Sequence, residues 1–232
     1  MCSTSFPSAG MGGRFSVLPS FLELQGFGLR RSEYCASIDL RKKATDIAND
    51  RVCTQQMEDV MASEKLHAGS RMPKVSVPKV GGGELHLGSG EGWRMLVVYR
   101  GKHCPICRTY LKTLDGLLDQ FRAINTDVIA LSGDPQEKAE TETREEAWRF
   151  PVGYDLSEAQ MRALGLYISA PRSPQETDRP FPEPALFVVN PQGNIQIIDI
   201  SNAPFARPDL NGVLKGLKFI QEKQYPIRGT LA

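Results

Sequence analysis

The sequence predicts an α/β domain in which a central mixed sheet is flanked by helices, preceded by an N-terminal extension of different character. Three observations carry this expectation. From about residue 66 onward, short β-prone runs alternate with amphipathic stretches, the pattern of strand–helix crossovers. The run Met95-Leu-Val-Val-Tyr99 is continuously apolar rather than alternating, as in a strand buried on both faces. Near the C-terminus, two apolar runs separated by Pro191-Gln-Gly-Asn194 predict a hairpin, and a last amphipathic segment follows it.

Taken in order, Val75-Ser-Val77 and Glu84-Leu-His-Leu87 flank Gly81-Gly-Gly83 and predict an N-terminal β-hairpin. Arg94 to Tyr99 is the buried strand. In the segment Cys107 to Ile124, the residues Tyr110, Leu111, Leu114, Leu117, Leu118, Phe121 and Ile124 recur at steps of three and four, so one face of a helix is apolar. Asp127 to Leu131 is the next strand, and a helix from about Pro135 to Trp148 follows, with Asp134 as its expected N-cap. Ser157 to Leu164 is a short helix stopped by Gly165. Ala170 to Pro184, with five prolines, reads as a loop. Ala185 to Asn190 and Ile195 to Ile200 form the hairpin, and Asp209 to Lys223 the closing helix. Residues 65–225 are thus the expected domain and 226–232 a tail.

Residues 1–64 present no face apolar enough to demand a core. They are expected to be poorly ordered or to hold a short helix near Arg41 to Arg51, and Met57, Met61 or Met72 are alternative starts downstream. The chain has 232 residues and a formal net charge of +1, without a Lys/Arg block, which argues against nucleic acid or an anionic membrane surface as partner. No apolar run approaches the ~18–20 residues that span a bilayer. The apolar stretch Phe15 to Leu22 is broken by Pro19 and does not read as a signal peptide. Five cysteines are an odd count that fits a reducing, cytoplasmic compartment with one working dithiol rather than a secreted disulfide framework.

That dithiol is Cys104-Pro105-Ile106-Cys107, placed where the buried strand feeds the amphipathic helix, which is the thioredoxin-like redox arrangement. A free thiol with pKa near 8.5 is only about 3% ionised at neutral pH, and the thiolate is the nucleophile. A helix N-terminus offers unpaired N–H groups and a positive dipole end to Cys104. Pro105 suits the first turn, and Arg100, Lys102 and Arg108 add nearby charge. Cys107, three residues on, shares the turn at a Cα separation of about 5 Å, within disulfide range. An inert buried pair of thiols is the plainer alternative. Zinc would need two more ligands from His67, His86, His103 or the isolated cysteines, none of which forms a second pair, so neither metal nor other cofactor is expected. His103 reads as a turn residue flanking the thiolate.

Tyr99-Arg-Gly-Lys-His-Cys-Pro-Ile-Cys-Arg108, Ala130-Leu-Ser-Gly-Asp-Pro135, Phe150-Pro-Val-Gly-Tyr-Asp-Leu156 and Asn202-Ala-Pro-Phe-Ala-Arg-Pro208 together resemble the peroxiredoxin-like branch of the alkyl hydroperoxide reductase/thiol-specific antioxidant family, over about residues 66–223. The resemblance implies a thioredoxin-like fold, Cys104 as peroxidatic cysteine and Cys107 as resolving cysteine. It also implies an antioxidant peroxidase; thioredoxin and a glutathione/glutaredoxin system are equal candidates for its reductant, and a homodimer is one candidate assembly, the oligomeric state being left open by the sequence. Two departures stand out. The family's proline is Val97 here and its hydroxyl residue is Gly101. The arginine usually found just before the strand at Leu186 is replaced by Glu183-Pro184-Ala185. Arg172, Arg179 and Arg207 are candidate substitutes, Arg207 as charge partner of the dithiol. Pro184 stands where thioredoxin-like disulfide oxidoreductases hold a cis-proline, although a trans loop proline reads equally well. Reduction of disulfides, or redox sensing without turnover, therefore remain alternatives to peroxide reduction.

Overall fold

The computed structural model describes residues 66–88 and 90–231. Expectations for residues 1–64, the short helix near residue 41 included, lie outside the described residues. The strands are β1 (Ser76–Pro78), β2 (Glu84–His86), β3 (Trp93–Val98), β4 (Thr126–Leu131), β5 (Val152–Gly153), β6 (Ile168–Ser169), β7 (Phe181–Pro182), β8 (Ala185–Val189) and β9 (Ile195–Ile200). The helices are α1 (Pro105–Ala123), α2 (Gln136–Glu146), α3 (Glu158–Ala163) and α4 (Leu210–Lys223).

The central sheet has the order β5-β4-β3-β8-β9. β3 pairs in parallel with β4 and antiparallel with β8, so the sheet is mixed, as the sequence predicts. β1 and β2 form the N-terminal hairpin, Val77 opposite Leu85. β8 and β9 form the second hairpin, with an irregularity between Val188 and Val189.

Alternate residues of β3 point to opposite faces and build two cores. Met95, Val97 and Tyr99 pack with Leu111, Leu114, Leu118 and Phe121 of α1 and Leu210, Leu214 and Leu217 of α4. Leu96 and Val98 pack with Val77, Leu87, Met161, Leu164 and Phe187. Each fully buried leucine contributes roughly 1.5–3 kcal/mol of transfer free energy, so the α1 face alone holds that helix against the sheet. The helix is therefore a firm base for whatever sits on its first turn.

Local chemistry explains the element boundaries. Ser157 and Gln160 form a reciprocal capping box at α3, and Gly165, at φ +66°, ends that helix region. The Asp209 carboxylate accepts from Gly212 N at 2.7 Å and starts α4. Two expectations are corrected. Asp134 is not the cap of α2; the capping position is Pro135, which offers no side-chain bond, because the Asp134 carboxylate is turned inward to the Lys102 N–H, 2.7 Å away. The proline-rich loop is also not wholly irregular. Phe181–Pro182 pairs antiparallel with Ile168–Ser169, since Phe181 is driven into the protein interior and brings its backbone alongside β6.

Candidate active site

β3 ends at Val98, and the chain turns through Tyr99, Arg100, Gly101 and His103 before α1 begins. The turn is closed by Cys104 N donating to Gly101 O at 3.1 Å. Cys104 occupies the N-cap of α1 in extended conformation (φ −104°, ψ 101°), with Pro105 in the first turn, as the sequence predicts. Cys104 is 3% exposed and Cys107 0%, and both sulfurs are free.

The two thiols are electrostatically unequal. The Cys107 thiol donates to Cys104, and the Cys107 backbone N–H does likewise. With the charges of Arg100 and Arg207, these donors outweigh burial and pull the Cys104 pKa down to about 6. Cys107 is pushed up because its proton is held in that bond and because it is buried. The geometry thus favours an anion on Cys104 and a neutral thiol on Cys107.

Arg207 arrives from the loop before α4, and its Nη2 donates to Cys107 Sγ at 2.8 Å. Its guanidinium lies 4.9 Å from the ring centre of Tyr110, whose hydroxyl donates to Pro208 O at 2.9 Å and pins that loop to α1. Arg207 Nε and Nη1 are buried and make no hydrogen bond. The other two candidate arginines are elsewhere. Arg172 pairs with Glu176 at 3.0 Å, and Arg179 with Asp155 and Asp178. Lys102 and Arg108, expected to add charge at the sulfurs, point to the acids of α2. Lys102 reaches Glu145 at 2.8 Å, and Arg108 reaches Glu146 at 3.4 Å and Glu142 at 3.7 Å.

Arg100, by contrast, is held over the Phe181 ring at 4.6 Å, between Glu176 and Glu183, each 3.5 Å away. Glu183, in the place expected of an arginine, is thus an anchor for one; its other oxygen accepts from Ser169 at 2.6 Å. His103 packs edge-on against the same ring at 4.7 Å, and neither ring nitrogen has a partner. Burial, with the charge of Arg100, lowers its pKa and so favours the neutral imidazole.

The missing hydroxyl residue has a steric reason. Gly101 sits at φ +123°, and a Cβ there would lie 2.6–2.8 Å from the Asp134 carboxylate. The inward turn of Asp134 and the glycine are one feature. Pro184 lies close by, lining a cavity of about 10 Å³ with Val97, Tyr110, Asp199 and Arg207. That is room for one water at most. No described peptide bond is cis, so of the two readings left open for Pro184 the trans loop proline is the one the structure has. A far larger cavity, about 550 Å³, lies at the opposite end of β3, lined by Trp93, Asn125, Gln192, Gln221 and Tyr225, remote from the sulfurs. Among the described residues, no cluster of three or more His, Cys, Asp or Glu could hold a metal ion.

The AhpC/TSA family profile matches residues 68–198, more than half of the chain and including both cysteines. The chain belongs to the AhpC/TSA family. A search of the curated proteins found no match. Among solved structures, the chain is similar to a cysteine-to-serine mutant of peroxiredoxin 6 of Arenicola marina (19% identity, 68% of this chain and 75% of that one, TM-score 0.58). It is also similar to the peroxidoxin BcpB from Mycobacterium tuberculosis (16% identity, 67% and 98%, TM-score 0.57). A third is a yeast mitochondrial 1-Cys peroxiredoxin, described with a thiol resolving mechanism via glutathione/thioredoxin systems (18% identity, 72% and 84%, TM-score 0.56). At these identities the structures establish a shared peroxiredoxin-type, thioredoxin-like fold. AhpC/TSA membership together with that fold supports a peroxiredoxin-like redox function.

In this AhpC/TSA member, sequence reasoning missed two residues at the site. Asp134 was read as a cap, and Glu142 was not singled out. Glu142 lies in a run of acids, Glu137 to Glu146, whose sequence carries no signal of which one faces inward.

Proposed function

We propose that the protein reduces hydroperoxides, with Cys104 as the attacking thiolate and Cys107 as the sulfur that closes a disulfide on it. The observation that carries this reading is the asymmetry of the pair beside Arg207. One sulfur is stabilised as an anion at the start of a helix, and a guanidinium with two unspent buried N–H donors stands next to the other. In the first step the Cys104 sulfur attacks one peroxide oxygen and the O–O bond breaks. Cys104 becomes a sulfenic acid, and the leaving alkoxide takes a proton to become an alcohol. Arg207 Nε and Nη1 are the donors available to the charge that develops on that leaving oxygen. Cys107 then displaces hydroxide, which leaves as water once protonated, and a dithiol donor reduces the resulting disulfide. Thioredoxin or glutathione/glutaredoxin is the proposed donor, a homodimer the proposed assembly and the cytoplasm the proposed site of action. Among the described residues no helix is long and apolar enough to cross a membrane.

A second reading, reduction of disulfides, is favoured by one specific observation. The site lacks the hydroxyl residue, its place taken by Gly101 pressed against the Asp134 carboxylate. Stopped-flow oxidation of the reduced protein by hydrogen peroxide, with insulin reduction in parallel, separates the two. Peroxide consumption no faster than that of a free thiol refutes the first reading. Insulin reduction that disappears in Cys104→Ser then supports the second.

A further inference from the structure

Arg100, Lys102, Arg108 and Arg207 gather round the dithiol, and acids already answer the first three. Arg100 stands 3.5 Å from both Glu176 and Glu183. Lys102 reaches Glu145 at 2.8 Å, and Arg108 reaches Glu146 at 3.4 Å. Arg207 makes no ion pair with any described carboxylate; Asp199 lines the same small cavity without closing one. Its one hydrogen bond runs from Nη2 to Cys107 Sγ at 2.8 Å, and its Nε and Nη1 are buried without partners. The Tyr110 ring, 4.9 Å from the guanidinium, and the bond from the Tyr110 hydroxyl to Pro208 O hold the side chain in that place. A covered cation without a counter-ion is costly, and such groups collect where a negative charge has to be met. The sulfur that this one meets is Cys107.

Cys107 is wholly buried, and a thiol is a poor nucleophile until it loses its proton. In the reduced pair the bond to Cys104 does most to hold that proton; burial adds to this, and so does the charge on Cys104. Arg207 and a backbone hydrogen bond from Arg100 pull the other way. Oxidation of Cys104 to a sulfenic acid or a mixed disulfide removes its negative charge, and with it both contributions from Cys104. What remains is burial, opposed by the guanidinium and the Arg100 backbone. The event that calls for a second nucleophile therefore also eases its ionisation.

We propose that Arg207 is a catalytic residue of the second step, its Nη2 holding the negative charge that develops on Cys107 as the disulfide closes. The Cys107 S–H bond breaks, its electron pair forms the S–S bond, and the Cys104 S–O bond breaks. The departing hydroxide takes the proton that Cys107 gave up and leaves as water. The sum is a sulfenic acid and a thiol giving a disulfide and water, and Arg207 keeps its own protons throughout. This part is separate from the one Nε and Nη1 play towards peroxide, and it rests on Cys104 and Cys107 being a working dithiol. The other groups that face the sulfur are Cys104 across the first turn, Arg100 in the turn before it and Tyr99 at the end of β3; Tyr110 of α1 and Asp199 of β9 lie beside the guanidinium. Burial pushes both phenols up, away from the range in which thiols titrate. Glu142 of α2, at about 7, acts on Tyr99.

The test uses the full reduced chain and hydrogen peroxide, with acid quenching and intact-mass spectrometry to follow the sulfenic acid and the disulfide. The first step quickens with peroxide concentration, whereas closure sets a plateau that does not, so the two rates are read apart in one experiment. The plateau is measured across pH for wild type, Arg207→Met and Arg207→Lys. Wild-type closure is expected to rise through an inflexion below the ordinary thiol value of about 8.5. Loss of an adjacent opposite charge moves a pKa by about one to three units, so Arg207→Met should shift that inflexion upward by about two. Below it the thiolate is then ~100-fold scarcer; greater basicity returns about tenfold, which leaves closure about tenfold slower. Above its own inflexion Arg207→Met should match wild type, and Arg207→Lys should hold the inflexion closer to wild type because it keeps a charge. Asp199→Asn and Glu142→Gln should leave the inflexion in place. A wild-type inflexion at or above about 8.5 overturns the proposal and needs no variant. An Arg207→Met profile that superimposes on wild type also overturns it, as does a deficit equal at every pH, which would mark a displaced loop. An inflexion that vanishes in Asp199→Asn or Glu142→Gln assigns the titration elsewhere and overturns it too. A Cys104 that forms neither sulfenic acid nor disulfide overturns the dithiol reading itself, which the mass spectra reveal independently.

Discussion

Replacing Arg207 with methionine separates two things the guanidinium does, and the structure gives the size of each. With its pKa at about 6, Cys104 is about 90% thiolate at pH 7. Arg207 is one contributor to that value, behind the donors from Cys107, burial and Arg100. If its loss lets the pKa climb to ~7, in line with the smaller effects of a removed opposite charge, the thiolate fraction at pH 7 falls less than about twofold. At pH 6 it falls about fivefold, and by pH 9 the difference vanishes. The second contribution does not vanish. Arg207 Nε and Nη1 are buried donors without partners, and removing donors aimed at developing charge costs on the order of 2.7–4 kcal/mol, or about 10²–10³ in rate. The assay is the second-order rate of peroxide oxidation across pH for wild type, Arg207→Met and Arg207→Lys. The expected result for Arg207→Met is a deficit of about 10²-fold that persists at pH 9. Lysine should restore the ionisation but not the fork of donors. A variant that merges with wild type at pH 9 refutes the argument, because Arg207 would then only tune the thiolate.

Gly101→Thr should not restore a family-like hydroxyl. At φ +123° and against Asp134, it should cost about 1–3 kcal/mol and lower the Tm; an unchanged Tm contradicts the geometry. Cys107→Ser should leave the first attack intact while Cys104 advances to sulfinic acid, read by mass spectrometry; resistance to over-oxidation equal to wild type removes Cys107 as resolver. Glu142, buried in α2, makes a stability prediction. Its folded pKa, about 7, lies above the ordinary 4.5, so the folded state loses stability relative to a neutral side chain as pH rises from 4.5 to 7, and carries the full penalty above that. Glu142→Gln should therefore match wild type near pH 4 and exceed it at pH 8 by up to roughly 3 kcal/mol in urea unfolding. Parallel stability curves for the two proteins would falsify the burial argument.

The parts of this fold visible in the sequence are those set by local rules. The α1 face was readable because Leu111, Leu114, Leu118 and Phe121 obey helical spacing, and β3 because its apolar residues run together. Cys104 at the helix start followed from the strand before it and Pro105 after it. What was not readable depends on partners far along the chain. Asp134 looks like a cap beside Pro135, yet it answers a backbone N–H at Lys102, thirty-two residues earlier. Arg207 could be named only as one of three candidates, because its contact with Cys107 spans one hundred residues and is made by a loop. Glu183 looked like a loss of charge, whereas the structure makes it the anchor of Arg100.

The depth of Cys104 has a consequence for chemical labelling. A sulfur only 3% exposed admits an oxidant as small as hydrogen peroxide far more readily than a maleimide or an iodoacetamide. The turn that makes the thiolate reactive is then also a sieve. Alkylation rates measured on the native protein will understate its nucleophilicity, and the gap between labelling before and after denaturation gauges how tightly the fold screens it.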